Sequence, residues 1–413
     1  MKRYDSITAI KAVSCMMVFL SHWNGAFASW GHGSLDWFFL QSPFRMLTFG
    51  NMAVCIFLIL SGTLVSLKIY RGSAFSWGTE ICKRYVRMAI PIFGTHLLVF
   101  FLFRLGLFRT GQAAAVMGNE WLASYYAYPI SLGTVFKNSF VTSVFRGDSS
   151  YYGPLWMMNY IFFGTVFSVV LAEGLKGMSK KGRVLFMTLL FGIFLVLDSY
   201  YLCFLMGNVM ALLMLWLEKW KVEETERRSE RKYQMSVQKR SEALSDGDAE
   251  TGRMNAAWRP TKAALVAVSA VLFTFGVWLG LESFLITYRL MAHGIGMALG
   301  NASFWGLMSG FFMIWGVIFL WEILCCDRRT FWKWPLLWIG ERSYSVFLVH
   351  WLVICTFSCG FYCRFIVKPN WFYLGVNFFA TTAVMLVGTE VFYQLVEKRA
   401  FAWVWNRVKE IFL

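Results

Sequence analysis

The sequence predicts an all-α polytopic integral membrane protein, a helical bundle of about ten transmembrane helices with both termini in the cytoplasm. Three observations carry this. Of 413 residues 58% are hydrophobic and only 15% charged, with a mean hydropathy of +0.54. The apolar residues gather into stretches of roughly 17 to 25, enough to cross hydrocarbon as a helix. The loops between them alternate between rich and poor in lysine and arginine.

The stretches fall at about 7–27, 45–67, 88–108, 155–173, 183–198, 200–217, 262–281, 302–324, 336–358 and 372–396. The fifth and sixth meet at Asp198, Ser199 and Tyr200, a link so short that it predicts a helical hairpin. With the N-terminus inside, the inner loops hold Lys68, Arg71, Lys83, Arg84 and Arg87, then Lys176, Lys180, Lys181 and Arg183, then Arg328, Arg329 and Lys333. The outer loops are sparser, holding Arg45, Arg109, Lys137, Arg146, Arg289, Arg364 and Lys368. Topology and anionic lipid account for the net charge of +16 without nucleic acid.

The opening MKRYD and its apolar run read as a first span rather than a cleavable leader, because Lys11 lies inside the run and Ser21-His22-Trp23-Asn24 interrupts the small residues a cleavage site needs. The whole chain, 1–413, reads as a single membrane domain carrying one charged cytoplasmic linker at about 218–262. That segment is dense in charge of both signs, which predicts a helical first half continuing the sixth span and a solvated remainder. The nine cysteines contain no CxxC pair. Neither a metal site nor a disulfide framework is expected, and Cys355, Cys359 and Cys363 read as small packing residues on one helix stripe.

Lys11 and His22 are the most informative pair. Ionisable groups inside a span are expensive and are usually kept for a purpose. Eleven residues at about 100° each put both on one helix face, about 16 Å apart along the axis. A cation near the inner face and an imidazole beyond the midplane suit an anionic ligand with acid/base chemistry at its far end.

Further landmarks follow in order. Phe57-Leu58-Ile59-Leu60-Ser61-Gly62 is an apolar-Ser-Gly element, and Lys83-Arg84-Tyr85-Val86-Arg87 with Pro91 behind it is a basic entry to the third span. Gly153-Pro154-Leu155-Trp156, Phe204-Leu205-Met206-Gly207, Leu337-Trp338-Ile339-Gly340, Ser343-Tyr344-Ser345-Val346-Phe347-Leu348-Val349-His350 and Tyr393-Gln394-Leu395-Val396-Glu397-Lys398 complete the series. With the Lys-x10-His pattern, this order resembles the membrane-bound acyltransferase 3 family, which O-acylates bacterial polysaccharides and related extracytoplasmic molecules. Two positions depart from the family pattern. Thr8 stands where an acid commonly precedes the basic residue of the first span, leaving that cation's carboxylate partner unassigned, and Arg399 stands where proline tends to follow the Glu-Lys pair.

The resemblance implies a membrane O-acyltransferase that moves an acetyl or other short acyl group from cytoplasmic acyl-CoA, a co-substrate rather than a bound cofactor. The acceptor is a hydroxyl of an extracytoplasmic or lipid-linked glycan in the cell envelope, and the setting is the bacterial cytoplasmic membrane. Arg84 and Arg87, one turn apart, suit bidentate contact with the donor phosphates. Lys11 either joins them or snorkels to inner headgroups. His22 is the expected general base, since imidazole is partly neutral near pH 7. Ser61, Tyr344, His350 and Glu390 are expected to line the cavity, with Glu390 pairing a cation or orienting an imidazole. Basic vestibule and deeper imidazole are expected to open into one continuous tunnel. A secondary transporter of an anionic metabolite and a non-catalytic envelope-assembly partner compete with this reading; the first predicts pseudo-symmetric halves with broken helices, which the sequence does not display. The sequence leaves open the acceptor, the acyl group, the oligomeric state, the role of the linker, and whether a separate partner completes the transfer.

Overall fold

A computed structural model describes residues 4–27, 42–72, 76–126, 129–197, 199–242, 260–292, 302–324, 333–365 and 371–412. Ala28, His32, Asp198, His293, Arg328, Arg329, Lys368 and linker residues 243–259 lie outside the described residues, as does the side chain of Arg289. Among the described residues the chain is helical without strands. The principal helices are α1 (Asp5–Phe27), α2 (Gly50–Tyr70), α3 (Trp77–Arg104), α4 (Met158–Lys176), α5 (Lys180–Val196), α6 (Tyr201–Glu242), α7 (Lys262–Ala292), α8 (Ala302–Leu324), α9 (Lys333–Glu341), α10 (Ser343–Phe365) and α11 (Trp371–Glu410).

Nine helices among the described residues are long and apolar enough to cross a membrane. The remaining expected stretch is α5, which at 17 residues rises about 25 Å, at the short limit of a crossing helix, and buries none of its side chains. Beyond the sixth stretch the helix does not stop, and α6 runs 42 residues to Glu242. The protein is an all-α integral membrane protein.

Helices α1 and α2 form the centre, α2 packing against α1, α4, α6 and α8, and α1 against α9 and α10. Little hydrophobic force separates helix from lipid inside a bilayer, so close backbone approach does much of the packing. Several landmarks serve that purpose. A Cβ on Gly207 would sit 2.5 Å from the Ile59 carbonyl, and one on Gly62 would sit 3.1 Å from the Phe204 carbonyl, so the two glycines let α2 and α6 touch. At Gly340 a Cβ would lie 1.9 Å from the Thr8 carbonyl, which fixes α9 against α1 just before Lys11.

Ion pairs bind the inner ends of the helices. Arg71 holds Glu218 at 2.8 Å and also bonds Tyr4, while Lys221 holds Glu322 at 2.7 Å. Glu390 pairs with Arg342, whose guanidinium is sandwiched by Trp338 and Tyr393 at 4.5 and 4.7 Å. Two wide π-type turns, Ile354–Ser358 in α10 and Tyr393–Ala400 in α11, shift the register of the residues beyond them. The first lies among the three cysteines of the expected stripe, leaving Cys355 and Cys359 buried and Cys363 exposed.

Candidate active site

A cavity of about 510 Å³ opens between α1, α2, α3, α10 and α11, and Lys11, Ser61, Arg84, Arg87, Tyr344 and Glu397 lie in its wall. Its volume falls within the roughly 300–1,000 Å³ typical of small-molecule sites. The basic landmark at the start of α3 and the Ser-Gly element of α2 meet directly, as Arg84 Nη2 donates to Ser61 Oγ at 2.6 Å. Gly62 faces α6 and Ser61 faces the cavity, so one dipeptide both packs the helices and orients the guanidinium. Arg84 Nε is buried without an acceptor. A buried guanidinium with a spare donor is an anion site waiting for its oxygen.

Glu397 supplies the carboxylate that Thr8 does not. It accepts from Ser345 Oγ at 2.5 Å and shares the cavity with Lys11 and Arg87. The other acid in the wall, Glu341, lies 3.6 Å from Arg342. The wall thus holds three cations and two carboxylates, Glu341 sharing Arg342 with Glu390, and its net charge is positive. Tyr344 donates to the Met88 carbonyl at 3.2 Å and ties α10 to α3. The signal for Glu397 was present as an acid at the end of an apolar stretch, but nothing local in the sequence ties it to Lys11.

Deeper along α1, His22 Nδ1 lies 2.9 Å from His350 Nε2, and His350 Nδ1 lies 3.1 Å from the Val346 carbonyl. A carbonyl can only accept, so with both rings neutral His350 carries its proton on Nδ1 and accepts on Nε2. His22 must then donate from Nδ1. Its Nε2 is left with a free lone pair, the form a general base needs. Tyr152 steadies this part of α10, donating to the Phe347 carbonyl at 2.9 Å and accepting from Trp351 N–H at 3.3 Å. Burial pushes its phenol pKa well above the ordinary value, so the hydroxyl stays a donor.

The structure does not join the two regions as the expected tunnel. Phe347 lines the cavity, but neither His22 nor His350 does, and the Phe347 ring stands 5.9 Å from that of His350. One turn of α10 thus carries both a cavity-lining ring and the second imidazole. Glu390 lies outside the cavity wall, against expectation, and of its two expected roles it takes the first, pairing a cation, Arg342, with Gln394 also bonded to it. His96 is buried 2.9 Å from Ser139 Oγ. Among the described residues no group of three or more His, Cys, Asp or Glu is placed to hold a metal ion.

The profile of the acyltransferase 3 family, described as an acyltransferase domain, matches residues 4–390. Searches of curated proteins and of solved structures gave no match. A match that runs from Tyr4 to Glu390 takes in the three cations of the cavity and the imidazole pair, though not Tyr393 or Glu397, and the chain belongs to the acyltransferase 3 family as an integral membrane acyltransferase.

Proposed function

We infer that the protein is an O-acyltransferase of the bacterial cytoplasmic membrane. It moves an acetyl or similarly short acyl group from cytoplasmic acyl-CoA to a hydroxyl of an extracytoplasmic or lipid-linked glycan. The observation that carries this is the chain from the Val346 carbonyl through His350 to His22, which leaves His22 Nε2 free to take a proton. Arg84, Arg87 and Lys11 receive the donor's phosphates, and the pantetheine arm extends past Phe347 once that ring turns aside.

The acceptor oxygen attacks the thioester carbonyl carbon as its proton passes to His22 Nε2. The tetrahedral intermediate collapses with loss of the C–S bond, and the imidazolium returns the proton to the departing CoA sulfur. Charge on His22 is shared with the lone pair of His350 throughout. Atoms and charge balance without a covalent acyl-enzyme.

Purified protein in detergent, given labelled acetyl-CoA and an acceptor glycan, is expected to release CoA and label the glycan. His22→Ala is expected to abolish labelling while the protein remains folded. An intact thioester in the wild-type reaction, or undiminished product from the variant, overturns the reading.

A further inference from the structure

The segment between α3 and α4 lays aromatic rings over the outer end of α1. Asn119 pins it there, its amide donating to the Gly25 and Ala26 carbonyls at 3.0 and 3.3 Å while its Oδ1 caps the short helix Glu120–Ala123 by accepting from Leu122 N–H. Gly25 stands against the Trp121 indole, where a Cβ would be in ordinary contact at 3.5 Å, and Gly153 makes room for Tyr125, whose ring would meet a Cβ at 2.7 Å.

Trp121, Tyr125 and Trp351 form a triangle with centroids 4.7 to 5.5 Å apart. Trp121 also lies within 9° of parallel to the His22 ring, 6.5 Å away, and Trp351 is 5.4 Å from it. Rings of an interfacial belt anchor a helix by facing headgroups. These face one another and the imidazole. Trp121 keeps 36% of its surface exposed, whereas Trp351 is fully buried and its indole N–H has no acceptor. A buried donor left unpaired is costly. A partly exposed indole, a base and an unpaired donor together suit a ligand with a flat face of polarised C–H bonds and a rim of oxygens. A pyranose has both, whereas an acyclic polyol or a lipid alcohol lacks the face.

We propose that Trp121 and Tyr125, backed by Trp351, form the acceptor subsite, where a pyranose ring stacks on the exposed indole and presents a hydroxyl to His22 Nε2. This rests on the reading of His22 as base and narrows the acceptor to a cyclic sugar. Stacking, rather than charge, sets recognition.

The test is saturation-transfer NMR on full-length protein in detergent, with methyl glucoside, galactoside and mannoside (all pyranosides) as probes and glycerol as the open-chain control. Saturation is expected on the C–H protons of one ring face of at least one pyranoside and absent from glycerol. It is expected to fall more than threefold in Trp121→Leu and Tyr125→Leu and to persist in Trp121→Phe, with CoA binding at the inner cavity unchanged in all three. If Trp121→Leu also loses CoA binding, Tyr125→Leu and Trp121→Phe decide the matter. No saturation of any pyranoside by the wild type, or saturation undiminished in the leucine variants, overturns the proposal. Sugar binding without acetyl transfer would instead strike at the catalytic reading. Transfer to lipid alcohols that ignores Trp121 would leave catalysis standing and remove the subsite.

Discussion

His22 and His350 are 328 residues apart in the chain and 2.9 Å apart in space, joined ring nitrogen to ring nitrogen. The Val346 carbonyl sets the tautomer of the second ring and so of the first. His22→Ala is expected to reduce turnover by about 10²- to 10⁴-fold, the usual contribution of a positioned base. His350→Ala is expected to cost less, because the base survives but loses its orientation, and His350→Gln to recover part of the loss by offering Oε1 where Nε2 stood. The kcat for acetyl transfer, measured with KM for acetyl-CoA, checks this; the KM is expected to stay near its wild-type value.

Arg84 is expected to act on the donor instead. Removing a hydrogen bond to a charged group costs about 1.5–3 kcal/mol, or roughly 10- to 100-fold in affinity. Arg84→Ala should weaken CoA binding by that factor. Arg84→Lys should recover only part of it, since a point charge cannot reproduce the fork. Ser61→Ala removes the 2.6 Å contact that aims the guanidinium and should fall between wild type and Arg84→Ala. Calorimetric titration with CoA reads all three.

Phe347 lines the cavity and lies within one turn of His350 on α10. Phe347→Ala is expected to raise release of CoA in the absence of any acceptor several-fold, because water then reaches the thioester and the base together. Phe347→Leu keeps the bulk and should stay near wild type. A thiol-reactive dye following free CoA measures it, and equal rates for the two variants would overturn the expectation.

Gly340→Ala is expected to destabilise the fold at the cavity wall, which Gly340 and Thr8 both line. Its Cβ would lie 1.9 Å from the Thr8 carbonyl, backbone that cannot turn aside. Forced overpacking of this kind typically costs about 1–3 kcal/mol. A lowered thermal midpoint in detergent checks it.

Topology has a direct readout in Cys363, exposed at the end of α10 that the charge asymmetry places outside. An impermeant maleimide added to intact cells should label it and spare buried Cys355 and Cys359, and Cys363→Ser should abolish that labelling.

The sequence made the cationic half of the site legible. Lys11, Arg84, Arg87, Ser61 and Tyr344 sit in landmarks of fixed order, and the cavity gathers all five. Helical periodicity is a local property, and it placed Lys11 and His22 on one face correctly as a matter of rise and turn. It could say nothing of which ring on α10 would meet His22, nor that Glu397 would take the place of the acid missing at Thr8. Trp121 and Tyr125 were hidden for another reason: aromatic residues in the loops of a membrane protein read as interfacial anchors until their neighbours are known. The least legible span was α5, where apolar composition continues but the helix has 17 residues, the short limit of a crossing.

The position of Phe347 has a meaning for the bilayer as well as for the reaction. A wet cationic pocket on one side and titratable rings on the other are the ingredients of a proton wire, which would short-circuit the electrochemical gradient of any membrane housing it. Phe347 sets a hydrocarbon ring in the cavity wall within one turn of His350, and hydrocarbon offers a proton no hydrogen-bonding partner along that turn.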